Sequence, residues 1–219
     1  MGTELVARGG KPGDRVADIM KNRAEYLETL YGIWIAGAMA TPINAKLHPR
    51  EAAWIIEDSG ATLTFADWGH ADDLPSAVIQ AGSPDWQALA ANAPMAPVHL
   101  RGEAPVWLFY TSGTTGRPKG IARAWEKRPL DWALPILPIL CAQMCAMDVD
   151  MVSLSPAPLY HAAPLRFAMR AASLGATTVI MGAFDAEGCL AAIQTHGVTH
   201  TQMAPTHFVR MLKLPDDIR

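Results

Sequence analysis

Residues Tyr110–Gly120 read YTSGTTGRPKG and directly follow the apolar run Val106–Tyr110. A loop of Gly, Ser and Thr placed straight after a buried strand can wrap a polyphosphate. Gly113, Gly116 and Gly120 let the backbone approach a ligand and take positive φ, so that successive N–H groups point at phosphate oxygens. Thr111, Ser112, Thr114 and Thr115 add hydroxyl donors, and Thr114 or Thr115 can also touch a metal ion. Lys119 supplies a point charge, and Pro118 stiffens the segment that presents it. The pattern is not a Walker A loop, because Gly113 and Gly116 are three apart and Lys119 is followed by Gly120.

Outward from this loop, apolar runs alternate with helical patterns. Val16–Met20 is predicted as a strand, with Asn22 capping a helix in which Tyr26, Leu27, Leu30, Ile33 and Trp34 recur at helical spacing. Gly37 ends that helix, and Met39–Ile43 is a second strand. Pro49 suits a first helical position, Ala52, Ala53, Ile55 and Ile56 form an inner face ending near Gly60, and Leu63–Ala66 is a third strand. This βαβαβ order predicts an α/β fold, a mostly parallel sheet with helices on both faces. Residues 69–104, punctuated by Pro75, Pro84, Pro94 and Pro97, read as excursion and loop. Beyond the glycine-rich loop the rhythm resumes: a helix near Trp132–Met147, a strand Met151–Leu154 and a helix Pro164–Leu174. Then come a strand Thr177–Met181, a helix Ala186–Thr195, a strand Thr199–Met203 and a helix Thr206–Leu212.

The bulk numbers fit a globular chain. Of 219 residues, 50% are hydrophobic and 18% charged, enough for a sizeable core. Eighteen basic residues against 21 acidic ones give a net charge of −3, and no Lys/Arg cluster points to nucleic acid. Three cysteines form no disulfide framework; Cys141 and Cys145 read as reduced core thiols, which fits a cytoplasmic protein. The N-terminus has no apolar leader, and Val6 stands where a myristoylation site requires Ser or Thr. Leu130–Met147 contains Asp131, Pro135 and Pro138 and reads as a packed segment rather than a membrane span.

At Tyr110–Gly120 the sequence resembles the adenylate-forming superfamily of acyl-CoA synthetases, peptide-synthetase adenylation domains and beetle luciferases. It matches every position of the signature [YF]TSGTTGxPKG. The likeness extends along the chain. It includes Lys11–Ala17 (KPGDRVA), Glu25–Gly60, the Pro158-Leu159-Tyr160-His161 segment, and Phe184–Leu190 followed by Val198–Leu212, the last two most like acyl-CoA synthetases. The resemblance implies a two-step ligation. A carboxylate attacks the α-phosphorus of Mg·ATP, releasing pyrophosphate, and the thiol of coenzyme A then displaces AMP.

On this resemblance Thr111, Ser112, Gly113, Thr114, Thr115, Gly116 and Lys119 hold the β- and γ-phosphates, with Thr115 a magnesium contact. Tyr160 and His161 line the acyl pocket. Its partners are ATP, coenzyme A and a small carboxylic acid of fatty, aliphatic or steroid-like type, a place in fatty-acid metabolism. The chain reads as a partial N-terminal AMP-binding domain. Met1 falls inside the family's first helix, and the adenine- and ribose-binding segments and the catalytic lysine of the small C-terminal domain lie outside these residues. No catalytic residue is therefore assigned; Lys119 is the loop lysine. The alternatives are a catalytically silent nucleotide-binding domain, a split enzyme, or part of an amino-acid or aryl-acid adenylating enzyme. Oligomeric state is not legible in the sequence, although a partial domain is expected to expose apolar surface.

One position breaks the pattern. Asp18 occupies a place where the family has an apolar residue on a strand buried on both faces; an unpaired carboxylate there costs several kcal/mol unless it lies exposed at the strand's end. Ala122–Pro129 lacks the hydroxyl and His pattern common after the loop. Other constellations are weak. His196 and His200 are four apart but straddle a helix end, no HExxH glutamate accompanies them, and Ser153 and Ser155 lack a nucleophile elbow. Asp148/Asp150 and Asp216/Asp217 read as solvated ends, and the scattered tryptophans form no base-stacking stripe.

Overall fold

A computed structural model describes residues 1–91, 107–111, 117–122 and 144–218. The chain divides into two compact units, one of Met1–Met20 with Glu25–Pro135, the other of Lys21–Ala24 with Ile136–Arg219.

The first unit carries α1 (Gly2–Ala7), β1 (Arg15–Ile19), α2 (Ala24–Ile35), β2 (Met39–Pro42), α3 (Pro49–Ser59), β3 (Leu63–Ala66), β4 (Ala77–Gln80), α4 (Pro84–Ala91), β5 (Leu108–Thr111) and β6 (Lys119–Ala122). Four strands run parallel in the order β2-β1-β3-β4. The predicted βαβαβ is therefore present, with strands within a residue of the expected limits. Tyr26, Leu27, Leu30, Ile33 and Trp34 are all buried on α2. The α3 start is fixed by Pro49 and by a reciprocal cap: His48 Nδ1 accepts from Arg50 N–H at 3.2 Å, and Glu51 accepts from His48 N–H at 3.0 Å. Gly60, at φ 68°, closes it in the left-handed region.

Within residues 69–104, expected as excursion and loop, the described part up to residue 91 holds a strand and a helix. Ala77–Gln80 pairs parallel with β3, and Pro84–Ala91 is a helix whose Trp86 packs edge-on against Phe65 with centroids 5.6 Å apart. Pro84 starts this helix and Pro75 lies in the connection before β4, so a punctuated sequence was compatible with regular structure. The remainder of that stretch lies outside the described residues.

Side chains alternate across β1. Ala17 and Ile19 join Ala52, Ile55 and Ile56 of α3 in one core. Asp18 faces the other way, in register with Pro42 and Phe65, and is fully buried. The exposed alternative for this carboxylate does not hold. Neither oxygen has a hydrogen-bond partner among the described residues. Burial pushes its pKa well above the usual carboxylate range, and the charge of Asp67 pushes it further.

Asn22, expected to cap α2, instead spends its side chain on the second unit, to which it belongs. That unit contains β7 (Val152–Ser155), α5 (Ala162–Ser173), β8 (Thr177–Ile180), α6 (Ala186–His196), β9 (His200–Thr201) and α7 (Pro205–Met211), with a parallel sheet in the order β8-β7-β9. Leu165, Ala168, Met169 and Ala171 form the inner stripe of α5. Asp185 caps α6 by accepting from Gly188 N–H at 2.6 Å. Cys189 is buried, but Cys145 is exposed, contrary to the core reading of that thiol; Cys141 and most of Trp132–Met147 lie outside the described residues. On α7, Phe208 and Val209 are exposed, as is Leu212 just after it.

Candidate functional site

The glycine-rich segment is held at its base by a two-stranded antiparallel ladder that the sequence reading did not foresee. β5 and β6 pair so that Leu108 faces Ala122, Tyr110 faces Gly120, and Thr111 faces Lys119. The two ends of the segment therefore leave the ladder side by side. Thr111 and Lys119 are exposed at that end; Ser112, Gly113, Thr114, Thr115 and Gly116 lie outside the described residues. An isolated parallel bridge between Ala40 and Trp107 places the start of this ladder against β2.

Gly120 has a different role from the one expected. Its φ is not positive; a Cβ there would come within 3.1 Å of the Tyr110 ring and 3.2 Å of Leu108. A side chain there would crowd the Tyr110 ring where it crosses the ladder, and the ring would have to give by a few tenths of an ångström. That ring then reaches α3. Tyr110 Oη donates to Asp58 Oδ2 at 2.6 Å, and the ring meets Trp54 edge-on at 6.2 Å. Burial, the hydrogen bond to Asp58 and the charge of Asp58 hold the phenol well above its ordinary pKa, against the Arg15 guanidinium; Tyr110 remains a neutral donor. Arg117, just before Pro118, lies over the other partner in this set, 5.9 Å from the Trp54 ring centroid. Both ends of the segment are thus fastened to one helix. Asp58, Trp54 and Arg117 were not singled out from sequence. For Trp54 and Asp58 the signal was helical spacing, since residues four apart share one face of α3.

The second group, Tyr160 and His161, sits in the second unit between β7 and α5. His161 N–H donates to Pro158 O at 3.2 Å, and His161 occupies the N-cap position of α5. The two rings lie 4.1 Å apart, tilted by 41°. His161 as a residue is exposed, yet its imidazole is partly desolvated against its surroundings, which lowers its pKa and favours the neutral ring. Burial raises the Tyr160 phenol.

Among the described residues no group of three or more His, Cys, Asp or Glu could hold a metal ion. His200 has both ring nitrogens engaged, Nδ1 2.8 Å from Thr199 Oγ1 and Nε2 2.6 Å from Cys145 O. No helix of the described residues is long and apolar enough to cross a membrane.

A parallel α/β sheet and a signature sequence whose Thr111 and Lys119 pair across the β5–β6 ladder agree with the match of residues 1–218 to the family described as AMP-binding enzyme. The chain belongs to the AMP-binding enzyme family. Among curated relatives of this family member, a feruloyl-CoA synthase of Amycolatopsis is 32% identical over 93% of the chain and 41% of its own length. A long-chain-fatty-acid–CoA ligase, FadD13 of Mycobacterium tuberculosis, is 32% identical over 83% of the chain and 37% of its own length. The N-terminal domain of FACL13 from the same organism superposes with a TM-score of 0.79 at 25% identity, covering 97% of the chain and 55% of that structure. The AMP-binding chain thus spans about two fifths of the length of the curated relatives it matches.

Proposed function

We propose that this AMP-binding family member is part of an acid–CoA ligase that activates a carboxylic acid with ATP. The observation that carries the reading is the ladder that sets Thr111 opposite Lys119 and fastens Tyr110 to α3, beneath the signature segment. The carboxylate oxygen attacks the α-phosphorus, a new O–P bond forms, and the bond to the leaving pyrophosphate breaks. The thiol of coenzyme A then takes the acyl group and AMP departs. Thr111, Ser112, Gly113, Thr114, Thr115, Gly116 and Lys119 hold the β- and γ-phosphates. The exposed ends Thr111 and Lys119 fit this role, since a hydroxyl donor and an ammonium emerge together. The Thr115 hydroxyl would contact a Mg²⁺ ion bound with ATP, which would supply neutralisation of phosphate charge. Tyr160 and His161 border the acid.

The acid itself is a fatty acid in this reading, with the signature loop and the acyl-CoA-synthetase-like block Phe184–Leu190 and Val198–Leu212 as support. The relatives include both a feruloyl-CoA synthase and a long-chain-fatty-acid ligase, so the choice rests on those segments. The 219 residues act as part of a larger AMP-binding domain in the cytoplasm. ATP–pyrophosphate exchange, scanned over fatty, aryl and amino acids, tests the reading. Exchange driven by fatty acids supports it, and exchange driven only by amino acids overturns it. A second reading follows from the same tether: a chain that binds Mg·ATP without forming adenylate. Binding without any exchange, in the chain alone, supports that version.

A further inference from the structure

β7 ends at Ser155, and the chain beyond it runs to His161 without a strand partner. Buried backbone groups in such a run need other partners. Asn22 supplies them. Its Nδ2 donates to Ala157 O at 2.8 Å and to Met181 O at 3.1 Å, and its Oδ1 accepts from Leu159 N–H at 2.8 Å. One side-chain amide thereby fixes the residues on either side of Pro158 and joins them to Met181, the residue that follows β8. Leu159 is fully buried at the point where it is held, and Tyr160 and His161 come next.

We propose that Asn22 is the positioning residue of the Tyr160–His161 turn, setting the direction in which both rings are presented to the acid. The proposal rests on the reading of Tyr160 and His161 as acid-side residues. Only a primary amide of this length offers two donors and an acceptor from one place: Asp keeps the acceptor and turns a carboxylate toward two carbonyl oxygens, and Ala removes all three bonds.

Amide hydrogen exchange by NMR on the 219-residue chain tests it. In the unaltered chain the Leu159 amide should exchange at least about tenfold more slowly than an open-loop amide. Asn22→Ala should remove that protection and the Tyr160–His161 ring contact, seen as a lost nuclear Overhauser effect, while leaving Leu154 and Val179 protected. Asn22→Asp should keep part of the Leu159 protection and still displace the His161 ring signals. An unprotected Leu159 amide in the unaltered chain, which needs no variant to fold, overturns the proposal; so does a loss in Asn22→Ala that is equal at Leu159 and Leu154. Titration of decanoate decides the underlying reading separately. Shifts of the Tyr160 and His161 rings support an acid site there, and their absence removes the acid while the exchange data still decide the positioning.

Discussion

Tyr110 Oη donates a 2.6 Å hydrogen bond to Asp58 Oδ2, joining the first residue of the signature segment to the last turn of α3. Gly120, directly opposite, gives the ring room that a Cβ would reduce. Removing the hydroxyl in Tyr110→Phe is expected to cost about 1 kcal/mol of stability, since Asp58 is exposed and rehydrates. Urea unfolding reads this. Mg·ATP affinity should fall severalfold as well; unchanged affinity would separate the tether from phosphate binding.

Gly120→Ala should displace the Tyr110 ring and destabilise by about 1–3 kcal/mol through overpacking. Combined with Tyr110→Phe, the two losses should sum to less than their separate values, because both break the same contact. Strict additivity in a double-mutant cycle would contradict the coupling.

Asp18 makes stability pH-dependent. Its folded-state pKa is raised above the unfolded value near 4, so between those two values the folded chain binds the extra proton. The protonated form's contribution is fully present below pH about 4 and is lost as pH rises through the folded pKa, at about 1.4 kcal/mol per pH unit. Asp18→Asn should abolish that slope relative to the unaltered chain, and Asp18→Leu should also raise stability by removing an unpartnered buried polar group. Parallel pH profiles for the unaltered chain and the Asp18→Asn variant would show that the carboxyl is not buried.

Cysteine reactivity should divide the thiols. Cys145 is exposed and should alkylate readily, whereas burial, aided by the Asp185 charge, raises the Cys189 thiol pKa and should leave it protected. Mass spectrometry after brief iodoacetamide treatment checks this, and equal labelling would contradict it.

Helix and strand order was legible because the apolar spacing on α2 and α3 is strong and both ends of α3 carry their own signals, Pro49 and Gly60. β4 and α4 were missed because their prolines resemble loop punctuation, while their pairing with β3 and the Phe65–Trp86 contact are tertiary facts. The signature residues were readable as chemistry, but the β5–β6 ladder was not: Lys119–Ala122 is an exposed strand with a glycine in it, and among the described residues its partner is β5. Asn22 was misread for a similar reason. An Asn two residues before a helix satisfies a local rule, but here three distant backbone groups compete for its amide and win.

Calorimetric titration of the chain with Mg·ATP and with AMP decides whether Lys119 and its neighbours hold the phosphates of ATP. Mg·ATP should bind more tightly than AMP, and Lys119→Ala should cost about tenfold or more in Mg·ATP affinity while leaving AMP unchanged. Equal affinity for the two nucleotides, or a Lys119→Ala chain that binds Mg·ATP as well as the original, would contradict it.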